Sequence, residues 1–414
     1  MPKAAKTPLN ALFALNKPTG IPSMTLLNRL QPLFSASALF LDPNKPHQDD
    51  SGKRGGRGGR RGGRGRRDDK VKMGQGGTLD PLADGVLVVG TNAATKSLSR
   101  FLDCTKEYRA IGLVGCSTDS YDSQGKRVRT CAWDGVTRQS VEDALARFRG
   151  EIEQTPPIYS ALKMDGKPLY EYARTNTPLP RPIPPRKVTV FSLELVRFVD
   201  GAEHEYAYPE DELDEPARKE LERLEKMVKE GRTEVPAEDE VAAASEPAPT
   251  STEPTARPPI FEIKMTVSSG TYVRSIVHDL GLALGSAAHV VKLTRTRQGE
   301  FVLDPPDAST VLSAGEGAKA AAVEGAAEGA EGVKADGEAG AAAAGAAAAG
   351  GASERAPAPV ELDTFTGGCV EWTLLEAALN AQDEAKKSGT EVEGRDADGW
   401  LEWERDLLSK CKEV

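Results

Sequence analysis

Regular periodicity stops three times in this chain, and the blocks left between the stops constrain its fold more than any single motif does. The first gap, 43–72, is dominated by the run GKRGGRGGRRGGRGRR from Gly52 to Arg67; the second, 200–256, is acidic and Pro-containing; the third, 313–360, is Ala, Gly and Glu. Such compositions cannot bury a core, so each segment is expected to lie outside one. Both flanks of the second gap look like strands: Val188 to Phe198 alternates apolar and polar residues, and Ile260 to Val267 (IFEIKMTV) has strand periodicity. Neither is complete alone. Residues 200–256 therefore read as an insertion between two strands of one sheet, holding one plausible helix, Pro216 to Glu230, stopped by Gly231. What remains is a single domain over 10–312, a low-complexity linker over 313–360, and a C-terminal segment, 361–414, that holds three of the four Trp but offers no motif.

Charge follows the same division. The chain carries a net charge of -10, an odd value for a nucleic-acid binder, but residues 51–72 carry +8, 200–256 carry -12 and 313–414 carry -12, leaving +6 on the rest. The foldable blocks are mildly basic, with a very basic insert, which suits a polyanionic partner. Five cysteines without a CxxC pair fit a reducing compartment. His47, His204, His278 and His289 lack metal-ligand spacing, so no metal site is expected. No apolar run suits a signal peptide or a membrane span, and a soluble intracellular protein is expected, in the nucleus ahead of mitochondrion or cytoplasm.

Within the blocks, Ala11 to Asn16 reads as a buried strand ended by a Lys17-Pro18-Thr19-Gly20 turn, followed by a helix over Met24 to Leu33. Gly85 to Gly90 and Glu107 to Gly115 read as strands, and Ala94 to Phe101 as a helix. Ser140 to Phe148 reads as a capped helix with acids near its start, Ser268 to Gly285 as a turn entering an amphipathic helix, and Leu293 to Phe301 as a further strand.

Candidate chemistry starts at GGTLDPLADGVL, Gly76 to Leu87. The glycines permit close backbone approach to a ligand, Pro81 biases Asp80 toward an extended conformation, and the following strand anchors the loop, so a carboxylate is held out on a stiff support. Taken alone, Asp-Pro is also an ordinary turn starter. The full string GGTLDPLADGVLVVG, however, resembles the signature loop of the TruB family of pseudouridine synthases. Four further segments resemble the family's other motifs in order: LNKPTGIPS (Leu15 to Ser23), KEYRAIGLVGCSTDSYDSQG (Lys106 to Gly125), GEIEQTPPIYSALKMDGKPLYEYAR (Gly150 to Arg174), and SSGTYVRSIVHDLGLALGSAAHVVKLTRT, from Ser268.

The resemblance implies an α+β fold: a mixed, largely antiparallel sheet with flanking helices around an RNA cleft. It implies that Asp80 is the catalytic carboxylate, that Tyr108 stacks on the target base, and that Arg274 pairs with Asp80. Tyr272 and Leu293 match positions lining the pocket, while Lys17, Pro18 and Gly77 match loop support. Without the resemblance, Tyr272 and Leu293 suit an apolar core equally well and Lys17 a solvated turn. The implied activity is isomerisation of a tRNA uridine, at position 55 in the TψC arm, with no cofactor and no guide RNA. Other RNAs with a TψC-like stem-loop would be further substrates, and a monomer is expected. Gln75 stands where many members have His, at a position that helps fill the space vacated by a flipped base. Arg54, Arg57, Arg60 and Arg61 of the basic insert are expected to meet RNA phosphates. No RNA-binding PUA domain of the bacterial kind is legible after Leu312, which points to the eukaryotic tRNA pseudouridine-55 synthase branch. Two competing readings are a non-catalytic RNA-folding protein on the same scaffold and a guide-dependent enzyme of the dyskerin type; the first is opposed by intact Asp80, Tyr108 and Arg274, the second by the missing PUA domain.

Overall fold

The computed structural model describes residues 8–40, 70–175, 177, 179–219, 221, 257–303 and 368–414. Arg54, Arg57, Arg60 and Arg61, the low-complexity stretch 313–360 and residues 222–256 lie outside these. In chain order the first half supplies β1 (Ala11–Lys17), α1 (Ser23–Ala36), β2 (Met73–Gln75), β3 (Asp84–Thr91), α2 (Ser99–Asp103), β4 (Lys106–Val114), β5 (Cys116–Thr118), β6 (Arg127–Thr130), α3 (Arg138–Leu145) and β7 (Gly150–Gln154). There follow β8 (Lys163–Met164), β9 (Lys167–Pro168), α4 (Leu169–Arg174), β10 (Arg186–Val199), β11 (Ile260–Val267), α5 (Val273–Ala283), β12 (Ala288–Gln298) and β13 (Phe301–Val302). The C-terminal segment adds β14 (Cys369–Glu371), α6 (Trp372–Ser388), α7 (Glu402–Lys410) and β15 (Lys412–Glu413).

One mixed sheet organises the fold, in the order β14-β1-β3-β12-β4-β11-β10-β7, with β2, β13 and β15 attached to β3, β12 and β1. Most of its pairings are antiparallel; β12 with β3 and β14 with β1 are parallel. β1 and β3 read as nearly continuous apolar runs because both their faces are covered. Phe13, Leu15, Leu87 and Val89 enter the main core, while Leu12, Ala14, Val86 and Val88 enter a second one. β11 alternates instead: Phe261, Ile263, Met265 and Val267 face the main core, and Glu262 on the other face binds Arg197. β10 and β11 do pair, from Val190–Val267 to Val199–Ile260, as the two strand-like flanks require.

Several expectations need correction. α1 runs three residues past Leu33 with Pro32 inside it. Pro32 removes one helical hydrogen bond, but the extra turn carries Phe34 onto Phe13, Phe40 and Trp403. The helix expected over Ala94 to Phe101 is a 3₁₀ segment, Asn92–Leu98, followed by the single turn of α2. α3 is capped by Thr137, and Ser140 sits at its third position to complete a reciprocal cap. The strand expected from Leu293 begins earlier, at Ala288, and turns at Gly299, whose φ of +57° is the left-handed region. The basic segment expected to reach residue 72 ends sooner, since Val71 is buried and bonded to Gln31 and Ser35. The acidic insertion is not detached throughout: Tyr208 donates to the Val114 carbonyl, and a helical turn covers 215–219, starting one residue ahead of Pro216. Finally, the C-terminal segment belongs to the main body. β14 and β15 cover the outer edge of β1, and Trp372, Leu375, Trp403 and Leu407 enter the main core. No described helix is long and apolar enough to cross a membrane.

Candidate active site

Asp80 lies on the loop between β2 and β3, and that loop is held from two directions. On one side the β1–α1 turn grips it on both flanks of Asp80. Ser23 Oγ accepts from the Leu79 amide at 3.0 Å and donates to its carbonyl at 2.9 Å. The Gly20 amide donates to Pro81 O at 2.7 Å, and Thr19 Oγ1 to Leu82 O at 2.6 Å. Lys17 is wholly buried, and its ammonium donates to Ala83 O (2.6 Å), Pro18 O (2.8 Å) and Pro81 O (3.3 Å). Burial lowers the Lys17 pKa to about 8 against the pull of Asp84 and Asp80. Lys17 is thus a buried clamp rather than a solvated turn residue.

From the other side β12 holds the loop's ends. Gln298 Nε2 donates to Gly76 O at 2.6 Å, and the buried Arg295 donates from Nε to Val86 O at 2.6 Å and from Nη2 to Gly77 O at 3.4 Å. Gly85 has φ +92°, and a Cβ there would run into the Arg295 carbonyl, so only glycine lets β3 approach β12 this closely. Gly77, at φ +135°, turns the chain toward Asp80. Gln75, the last residue of β2, donates to Thr78 Oγ1 of the loop at 3.1 Å.

Arg274, the second residue of α5, meets the carboxylate: its Nε lies 2.8 Å from Asp80 Oδ2. Its side chain is 3% exposed against 33% for that of Asp80, so the cation is interior and the carboxylate faces outward. The rest of the guanidinium is occupied by Ser120 O (2.6 Å, from Nη1), Tyr159 O (2.9 Å, from Nη2) and the Asp122 carboxylate at 3.7 Å. Burial opposes the Arg274 charge, but Asp80 and Asp122 outweigh it and raise the pKa further. Asp122 is itself pushed up by burial, with Arg274 opposing, and accepts from Ser120 Oγ at 2.7 Å and the Gln124 amide at 3.0 Å. With every branch of the guanidinium engaged, the direction of the Asp80 carboxylate is fixed.

The remaining candidates lie on β4, at the start of α5 and on β12. Tyr108 on β4 is 8% exposed and pairs across the sheet with Met265 and Arg295. It shares the main core with Leu79, Val273 and Leu293, the first two being the neighbours of Asp80 and Arg274 in the chain. Tyr272 caps the start of α5; Gln154 clamps its backbone at 2.7 and 2.9 Å, and Arg186 lies 6.0 Å from its ring. Sequence reasoning missed Ser120, Asp122, Tyr159, Arg295 and Gln298 as parts of the site. Ser120, Asp122, Tyr159 and Arg295 lie inside the family-like motifs, and two acids in STDSYD were an available signal. For Arg295 and Gln298 the signal was polar residues recurring along a strand. Also missed was the stack of Tyr121, at φ +63°, on His278 one turn after Arg274, with ring centroids 3.9 Å apart.

Comparison with known proteins identifies the family. The profile of the TruB family pseudouridylate synthase N-terminal domain matches residues 66–207, and that of the tRNA pseudouridylate synthase B C-terminal domain matches 274–315. tRNA pseudouridine synthase 4 of Schizosaccharomyces pombe is 40% identical over 331 residues, covering 71% of this chain and 79% of its own length. The chain belongs to the TruB family. Within that family, human pseudouridylate synthase TRUB1 is 31% identical over 296 residues, 72% of this chain and 63% of its own. tRNA pseudouridine synthase B of Bordetella avium is 35% identical over 238 residues, 57% of this chain and 73% of its own, a shorter stretch than the fission-yeast and human enzymes match. A solved Cbf5-Nop10-Gar1 complex matches with a TM-score of 0.36 and 21% identity, over 70% of this chain and 49% of that one.

Proposed function

We propose that this TruB-family enzyme isomerises uridine 55 in the TψC arm of transfer RNA to pseudouridine, with Asp80 as its catalytic carboxylate and without a guide RNA. The observation that carries the reading is the Asp80–Arg274 pair, in which a buried guanidinium takes Oδ2 at 2.8 Å and leaves the carboxylate one-third exposed. Asp80 acts at the ribose, by attack on C1′ or by removal of a sugar proton, and both routes need an outward-facing oxygen. The N1–C1′ bond breaks, the freed uracil turns, and C5 bonds to C1′; the proton lost from C5 is balanced by one gained at N1. Every atom of the product is already in the substrate, so the chemistry calls for no cofactor or group donor. A stacked uridine cannot reach such a carboxylate, and the nucleotide must be flipped out, with Tyr108 receiving the base and Tyr272 and Leu293 bounding its pocket. Gln75, on the loop's entry strand, stands where many members use His to fill the vacated space.

Purified protein incubated with an unmodified, prefolded tRNA transcript and no other RNA tests the reading. Base-resolved mapping is expected to find a single pseudouridine, at position 55. Conversion only with a guide RNA added, or at a different uridine, would overturn it.

A further inference from the structure

We infer that the first part of the acidic insertion, residues 204–213, is a strap that positions the active-site arginine. The inference rests on the reading of Asp80 and Arg274 given above. Arg274 is held by the loop joining β5 to β6, through Ser120 O and Asp122. That loop belongs to a two-stranded ribbon, in which Cys116, Ser117 and Thr118 pair with Thr130, Arg129 and Arg127. A two-stranded ribbon has little stability of its own. On its inner side the loop is fastened to β12, where the Ser123 amide donates to Val290 O at 2.8 Å and the Val290 amide to Tyr121 O at 3.0 Å.

The strap supplies the outer side. Its start is pinned where His204 Nε2 meets Pro258 O at 2.8 Å. Its middle is pinned by Tyr208, which donates to Val114 O at 2.9 Å and packs over Gly115, where a Cβ would collide with its hydroxyl. Gly115 is the turn from β4 into β5, so Tyr208 sits at the root of the ribbon. The end of the strap joins it through a single parallel bridge, Arg127 opposite Glu212: the Arg127 amide donates to Asp211 O at 2.8 Å, and the Leu213 amide to Arg127 O at 2.9 Å. The Arg127 side chain reaches Glu212 at 3.3 Å, and Glu212 in turn binds Arg218 at 2.9 Å.

Arg127 is one peptide bond from Lys126. The Lys126 carbonyl accepts from the Asp119 amide at 3.1 Å, and its amide donates to Asp119 Oδ1 at 2.9 Å. Asp119 precedes Ser120, whose carbonyl holds Arg274. The path from strap to Asp80 therefore runs through Arg127, Lys126, Asp119, Ser120 and Arg274, all by hydrogen bonds or single peptide links. Tyr208 and Arg127 are positioning residues, and removing the strap should lower turnover without a matching loss of tRNA affinity.

Two deletions in the full chain test this, one replacing 222–256 with a flexible Gly-Ser linker and one replacing 201–256 with the same linker. The first should keep wild-type kcat; the second should lower kcat on saturating prefolded tRNA between about 2-fold and 30-fold, with KM nearly unchanged. Tyr208→Ala should act in the same direction and Tyr208→Phe, which keeps the ring over Gly115, should recover most of the loss. Hydrogen exchange on Tyr208→Ala should show faster exchange over 118–127 with β3 and β11 still protected. Wild-type kcat in both the longer deletion and Tyr208→Ala would overturn the inference, as would loss of protection throughout the core, which would make the segment a general brace. Asp80→Asn is measured alongside: if it stays active, the reading of the site fails whatever the strap variants do, and if it is inactive the strap result stands by itself.

Discussion

Lys17 serves three carbonyl oxygens with one ammonium, that of Pro18 in its own turn and those of Pro81 and Ala83, which follow Asp80 on the loop it supports. A neutral amine has two hydrogens, so deprotonation gives up one of these three contacts and the positive charge that strengthens the other two, while Pro81 O keeps the Gly20 amide. Since the Lys17 pKa is lowered from 10.5 to about 8, kcat is expected to fall above about pH 8. The fold responds with the opposite sign. The unfolded chain holds this proton up to the higher value, so the group's contribution to stability rises with pH between about 8 and 10.5. Activity profiles and thermal melts over that range check both halves; Lys17→Met should be weakly active throughout and lack the alkaline decline, whereas a decline shared by the variant would assign it to another group. At this scale the sequence was legible where a motif is local. Asp80 and Arg274 stand out by resemblance, and they meet as expected. The burial of Lys17 was not legible, because a lysine before a proline is ordinarily solvated and two of its partners lie 64 and 66 residues away.

Among the elements, strands with both faces covered and strands with one alternating face could both be read from periodicity, as β1, β3 and β11 illustrate. α1 was legible except for its end, where the local cost of Pro32 is outweighed by burial of Phe34, a tertiary effect that no local window contains. The C-terminal segment was illegible for a related reason. β14 and β15 are three and two residues long, and they acquire meaning only as partners of β1, more than 350 residues earlier. α7 closes this region by placing Trp403 against Phe34 and Glu404 Oε1 against Ser37 Oγ at 2.5 Å. Trp403→Ala should therefore cost about 3–5 kcal/mol of folding stability. Chemical denaturation checks it, with kcat near wild type under conditions where the variant is folded; a destabilisation under about 1 kcal/mol would mean that the C-terminal helices dock only loosely.

Over the whole molecule, the net charge of -10 conceals a very basic stretch directly ahead of the catalytic loop. Residues 51–69 contain eight Lys and Arg against two Asp, among them Arg54, Arg57, Arg60 and Arg61, and they precede Gly76 by only a few residues. Deleting 51–69, and sparing the buried Val71, should weaken tRNA binding and flatten its salt dependence by about 0.7 to 0.9 in log-log slope for each phosphate no longer neutralised. An unchanged slope would leave a docking or import role for the segment. Affinity is thus expected to be spread over many phosphates, while bond breaking rests on one carboxylate. Single-turnover pseudouridine formation by Asp80→Asn, measured beside its tRNA affinity, tests that division most directly. The account predicts no detectable product with affinity within a few-fold of wild type, and substantial product from Asp80→Asn would contradict it.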